Sequence, residues 1–204
     1  MDTVEALIQR AQKTQYGFTD IRQAADEVVA GNTRPASWRI AKALFASEVH
    51  QARQTATFIF GQLAATSAES RRFLRTRVSR DADWRVQEIL AQAFDQYCAD
   101  MGYEQALPVI KDWLADPNPN VRRAVTEGLR IWTSRPYFND RPEVAVQLLS
   151  RLKDDESEYV RKSVGNALRD ISRKHKELVR AELEKWDTSQ KAIKQTYALA
   201  SKFL

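Results

Sequence analysis

Four stretches of this chain lie over one another: His50–Leu63, Trp84–Tyr97, Pro119–Trp132 and Glu158–Ile171. Taking Ala52, Val86, Val121 and Val160 as anchors, the copies recur after 34, 35 and 39 residues. Self-similarity on that scale is the mark of a stacked repeat, and it constrains the fold more than any single residue does. From each anchor, positions +3, +4, +7, +8 and +11 are apolar or small. The second copy has Ile89, Leu90, Ala93, Phe94 and Tyr97 there, and the third has Ala124, Val125, Gly128, Leu129 and Trp132. The fourth has Ser163, Val164, Ala167, Leu168 and Ile171, and the first has Thr55, Ala56, Ile59, Phe60 and Leu63. This is the period of an α-helix with one buried stripe. Ala or Gly at +7 in the last three copies predicts a close approach between helices.

A second amphipathic segment precedes each copy: Pro35–Ala46, Glu69–Ser79, Tyr103–Ala115 and Pro142–Lys153. Pro35 and Pro142 fall where a first helical turn accepts proline, whereas Pro108 is expected to delay or kink its helix. The turns Asp116–Asn120 and Asp154–Glu158 supply caps and breakers. Paired helices at this period predict an all-α, right-handed α-α superhelix, a solenoid of HEAT-like pairs. Two further helices, Thr3–Thr14 and Thr19–Ala30, are expected within residues 1–31. The repeats then occupy about 34–174, and a degenerate pair, Lys176–Trp186 and Thr188–Phe203, caps the stack over 175–204. No pair buries its stripe alone, so residues 1–204 are expected to form one domain. Scarce Gly and Pro, six of each, agree with helices rather than a turn-rich β fold.

The chain carries a formal net charge of +5, which permits a polyanionic partner without demanding one. Neither of the two positions after each anchor belongs to the apolar stripe. Position +1 holds Arg53, Gln87, Arg122 and Arg161, and position +2 holds Gln54, Glu88, Arg123 and Lys162. The second helices of HEAT pairs generally line the concave side, so Arg53, Arg122, Arg123, Arg161 and Lys162 are candidates for phosphate contact. A guanidinium fork matches phosphate oxygens at two points. The plainer alternative is that each +1 arginine pairs with an acid of a neighbouring turn, for which Asp116 and Asp155 are available. A second basic run, RRFLRTRVSR, offers Arg71, Arg72 and Arg75 either as backbone contacts or as surface charge.

Trp84 and Glu88 stand four residues apart and share a helix face, and Arg123 occupies in the next copy the position that Glu88 has in its own. An indole, a carboxylate and a cation are thus expected on one patch. The alternative is structural: Trp84 packs the helix start, and Glu88 pairs with Arg123 or Arg85.

The segments NPNVRRAVTEGLRIWTSRPYF and LKDDESEYVRKSVGNALRDISRKHKELV resemble the HEAT-like-repeat DNA alkylation-repair proteins of the AlkD and AlkC type. The resemblance is clearest from Trp84 to Trp186. In that family a Trp, a carboxylate four residues later and an Arg in the next repeat form the catalytic cleft. The resemblance therefore implies catalytic roles for Trp84, Glu88 and Arg123, and excision of cationic alkylpurines such as 3-methyladenine or 7-methylguanine from double-stranded DNA. It also implies damage recognition through backbone shape. The AlkD pattern carries Asp where this chain has Glu88, and an aromatic of its cleft aligns with Asn166, which joins the expected DNA contacts. The alternatives are a non-catalytic HEAT-repeat binder of distorted or branched DNA and a protein-binding scaffold.

Other chemistries find little support. His50 and His175 are the only histidines and Cys98 the only cysteine, so neither a metal cluster nor an internal disulfide is expected. There is no Gly-rich phosphate loop, and no cofactor is implied. MDTVEALIQR reads as an amphipathic helix without an apolar signal core, and no run approaches membrane-spanning length. The expectation is a cytoplasmic monomer.

Overall fold

The structure is a computed structural model that describes residues 4–204; Thr3, the first residue of the first expected helix, lies outside them. Among the described residues there is no strand. The chain divides into two units, Met1–Met101 and Gly102–Leu204.

The first unit contains α1 (Val4–Gln12), α2 (Thr19–Gly31), α3 (Arg34–Phe45), α4 (His50–Leu63), α5 (Ala68–Thr76), a 3₁₀ turn (Val78–Arg80) and α6 (Trp84–Met101). Its hub is α4, which packs against α1, α2, α3, α5 and α6. A helix contacted on so many sides must be buried all round. Every residue from Gln54 to Gly61 is indeed buried, Thr55 and Thr57 included. Their hydroxyls donate to the carbonyls of Gln51 and Arg53, at 3.0 and 2.8 Å, so neither polar group is stranded. Gly61 allows the α4–α6 approach: a Cβ there would stand 2.8 Å from both Cα and Cβ of Ala93, the small residue at +7. On the α3 and α5 side, the Phe60 ring packs against Trp38 and Phe73 with centroids 5.0 and 4.6 Å away.

The second unit contains α7 (Leu107–Leu114), α8 (Pro119–Gly128), a 3₁₀ turn (Trp132–Ser134), α9 (Pro136–Asp140), α10 (Pro142–Ser150), α11 (Glu158–Ser172), α12 (Lys176–Leu183) and α13 (Lys191–Ala200). Here α11 is the hub, flanked by α8, α10, α12 and α13. Both units therefore have the expected paired-helix architecture, with the repeat-bearing helices side by side: α4 against α6, and α11 between α8 and α13.

The turn before each of α6, α8, α11 and α13 is built alike. Asp81, Asp116, Asp155 and Asp187 each accept, through a side-chain oxygen, the backbone N–H two residues on, at 2.8–3.0 Å.

Most expected helices differ in extent by up to four residues at an end: α6 runs on to Met101, for example, and α10 stops at Ser150. The helix expected from Tyr103 begins at Leu107, because an earlier start would drive the Pro108 ring into the Glu104 carbonyl. The third repeat helix stops at Gly128 rather than reaching Trp132, since glycine followed by Ile131, Trp132 and Thr133 propagates a helix poorly. Trp132 is nevertheless fully buried; its indole N–H donates to the Thr126 carbonyl at 3.3 Å, and Phe138 of the unforeseen α9 packs on it at 5.0 Å. Finally, α5 ends at Thr76 and gives way to the 3₁₀ turn instead of running on to Ser79.

Candidate nucleic-acid interface

Helix α6 presents Trp84 and Glu88 on one exposed face, one turn apart, and Trp84 is 61% accessible although it is a large aromatic. The turn before it is tied down. The Asp83 carboxylate accepts the Arg85 amide at 2.9 Å, and the Arg85 guanidinium lies 2.9 Å from His50 Nε2 and 5.6 Å from the Trp84 ring centroid. Burial pulls the His50 pKa below its ordinary value; Arg85 and Arg53 push the same way, against Asp83 and Asp81. The indole thus stands, largely exposed, on an anchored turn.

Steps of four continue this stripe along α6 through Gln92, Gln96 and Asp100. Those three side chains line a groove of about 370 Å³ together with Arg22, Asp26, Phe58 and Gln62. Arg22 donates to Gln92 and lies 4.7 Å above the Phe58 ring, and Gln62 donates to Asp26 at 2.7 Å. The sequence reading missed this groove, and extending the Trp84–Glu88 spacing would have found its α6 wall.

The basic run on α5 divides between faces. Arg71 donates to the Ala64 carbonyl at 2.9 Å and lies 5.2 Å from the Tyr97 ring, whose hydroxyl pKa burial raises against the pull of Arg71. Arg75 is half-buried, one turn along. Arg72 is exposed instead toward α3, lining a pocket of about 240 Å³ with Trp38, Lys42 and Arg77.

The +1 arginines proved to be structural in their present contacts. Arg53 donates to Asp81 at 2.7 and 3.2 Å and to the carbonyls of Ser47 and Glu48. Arg122 is only 6% accessible and donates to Asp155 at 2.7 and 2.8 Å, to Glu156 at 3.3 Å and to the carbonyls of Asp116 and Pro117. Hydrogen bonds to Asp155 raise its pKa, ahead of the opposing effect of burial. Arg161 donates to the carbonyls of Asp155 and Glu156 and to the Gln195 amide oxygen. Each arginine ties its own preceding turn to a later element; Arg53 and Arg122 do so through an acid of a later turn, whereas Arg161 meets the neutral Gln195 there.

At +2 the outcome is mixed. Gln54 is buried, contrary to expectation, because its amide donates to the Arg85 carbonyl at 3.2 Å. In the second unit Arg123, on α8, is half-buried, and so is Asn166 on α11. Lys162 is exposed, one turn before Asn166, and pairs with Glu158 at 2.6 Å. Among the described residues, no group of His, Cys, Asp and Glu side chains is placed to hold a metal ion, and no helix is long and apolar enough to cross a membrane.

The sequence matches the family described as DNA alkylation repair enzyme over residues 16–201. The chain belongs to the DNA alkylation repair enzyme family. This family member is similar to AlkD2 from Streptococcus mutans, at 46% identity and a TM-score of 0.95, with 99% of each chain covered. It is also similar to smu.31 from Streptococcus mutans UA159, at 45% identity and a TM-score of 0.93, covering 99% of this chain and 100% of the other. The alkylpurine DNA glycosylase AlkC of Pseudomonas fluorescens shares its fold at 23% identity and a TM-score of 0.52, over 97% of this chain and 60% of that one. Among curated proteins, the uncharacterized protein YhaZ of Bacillus subtilis (strain 168) is 32% identical over 118 residues, which is 52% of this chain and 33% of YhaZ. The match with that curated relative thus spans about a third of its length.

Proposed function

We propose that this member of the DNA alkylation repair enzyme family binds double-stranded DNA and hydrolyses the N-glycosidic bond of cationic alkylpurines, with Glu88 as the assisting carboxylate. The observation that carries the reading is the pairing of Trp84 with Glu88 on one solvent-facing turn of α6 in a chain of this family. A methylated purine such as 3-methyladenine or 7-methylguanine already bears positive charge. When its bond to C1′ breaks, the electron pair moves into the ring and the base departs neutral, so a strong acid is not required. Positive charge then develops on the sugar, and a nearby carboxylate stabilises it. Water adds to C1′ and its proton passes to Glu88. In this reading the face of Trp84 contacts the cationic lesion or sugar. Arg123, Lys162, Arg71, Arg72 and Arg75 hold backbone phosphates, and Asn166 adds a polar contact. Arg53 and Arg122 take part indirectly, by fixing the turns.

The test is release of free base from a duplex containing 7-methylguanine. Glu88→Gln is expected to lower release by at least about 100-fold while duplex affinity stays within about threefold of wild type. Release that survives this substitution would remove Glu88 from the chemistry. A second reading, a non-catalytic binder of distorted or branched DNA, is favoured by two residues: Glu88 in place of the Asp of the AlkD pattern, and Asn166 where the AlkD cleft has an aromatic. It predicts duplex binding by the wild type without base release.

A further inference from the structure

The three +1 arginines are equivalent in sequence but not in charge balance. In Arg53 and Arg122, Nε donates to a carboxylate oxygen, Asp81 Oδ2 and Asp155 Oδ2 respectively, at 2.7 Å in each. Nη2 takes the second oxygen of the same carboxylate, so each guanidinium is neutralised by a bidentate acid from a later turn. The residue that should serve Arg161 in the same way is Asp187, the aspartate of the turn before α13. Asp187 accepts instead from Ser189 and Gln190, at 2.6–3.2 Å. Beyond the carbonyls of its own preceding turn, Arg161 meets the neutral Gln195, whose Oε1 accepts from Nη2 at 2.8 Å. Its Nε is buried and has no hydrogen-bond partner. The donor that lacks an oxygen here is the same donor that binds Asp81 or Asp155 in the sibling positions.

A pocket of about 340 Å³ adjoins this guanidinium between α11 and α13, lined by Glu158, Arg161, Lys162, Gln195, Ala198 and Leu199. Lys162 and Glu158 pair with each other at 2.6 Å, which leaves the pocket with one uncompensated positive charge, that of Arg161. An unmet buried N–H and an unbalanced cation call for the same thing, an oxyanion from outside the chain.

We propose that Arg161, with Gln195 and Lys162, forms a binding site for a phosphate oxyanion, and that the phosphate is one of the DNA backbone. The anion takes the place that Asp81 and Asp155 fill for Arg53 and Arg122: the Gln195 amide swings aside, and Nε and Nη2 receive two oxygens. The DNA source rests on the function proposed above; the phosphate chemistry does not.

Gln195→Glu tests this, because it supplies the missing negative charge with almost no change of shape. In wild type, titration with inorganic phosphate is expected to shift the Arg161 Nε–Hε NMR resonance, assigned through Arg161→Lys, along a saturable curve. In Gln195→Glu that resonance stays still, a duplex binds about tenfold more weakly, and the salt dependence of duplex binding loses about one phosphate's worth of slope. A phosphate response abolished by Gln195→Glu, with duplex affinity unchanged, supports the oxyanion site and assigns it to free phosphate. Two results would overturn the site: a wild-type resonance unmoved by phosphate and by duplex, or a Gln195→Glu protein that responds as wild type does. Base release and duplex binding with a still resonance sink this inference alone. Failure of the wild type to bind duplex sinks the DNA reading, while the phosphate titration decides the site independently.

Discussion

A guanidinium group has five N–H donors to place, and in Arg122 all five meet oxygens of its own unit. Such an arginine cannot grip a DNA phosphate without first breaking those bonds, and removing one member of a buried pair costs about 3–5 kcal/mol. From sequence, the recurrence of Arg at +1 and the nearness of Asp116 and Asp155 were legible. Their division of labour was not: Asp155 serves through its carboxylate and Asp116 through its carbonyl, which depends on how the turns fold. Trp84 and Glu88 were legible because their spacing alone fixes a shared face. His50, dismissed as a metal ligand, turns out to buttress the turn that carries Trp84. With a folded pKa held below 6.5 by burial, the native state favours the neutral ring. Its contribution to stability is complete above the unfolded value and is lost as pH falls from there through the lower folded value. Thermal melts from about pH 7 to pH 5 should show a falling Tm that is less steep in His50→Gln. Identical pH profiles for the two proteins would rule out this role.

At the level of helices, apolar periodicity located each repeat-bearing segment, and α4 was predicted residue for residue. Ends were harder, because they are decided by tertiary contacts and by local geometry that periodicity does not register. Trp132 keeps its place in the apolar pattern and is buried as expected, yet it reaches the core from a 3₁₀ turn four residues beyond the end of α8. A stripe pattern records which side chains go inside, and more than one backbone path can deliver them. Close packing of α4 on α6 makes a sharper prediction. Gly61→Val sets a branched side chain against the backbone of Ala93, which cannot yield, and the strain outweighs the small gain in helix propensity. A loss of about 2 kcal/mol in denaturant unfolding is expected. Gly31→Ala, with nothing within 4 Å of the added carbon, should stay within about 0.5 kcal/mol of wild type. Equal stabilities for the two variants would mean that the α4–α6 approach is not tight.

For the whole molecule, the count of 32 lysines and arginines overstates the cations available to a polyanion, since Arg53 and Arg122 are neutralised where they stand. If Arg71, Arg72, Arg75, Arg123 and Lys162 carry the electrostatic contact, about five phosphates are neutralised on binding. Duplex affinity then falls about 500-fold between roughly 50 and 200 mM salt. A protein-binding scaffold would show no such dependence, so a flat salt titration excludes both DNA readings. The same arginine–aspartate ties bear on how a chain of this kind can change length. Arg122 reaches forward 33 residues to Asp155, and Arg53 reaches 28 residues to Asp81. Excising or duplicating a helix pair at an arbitrary cut would sever a cation from its acid. Blocks that keep each arginine together with its aspartate can be lost or added without severing a tie, so insertions in such lineages should begin and end in register with these ties rather than with the helices.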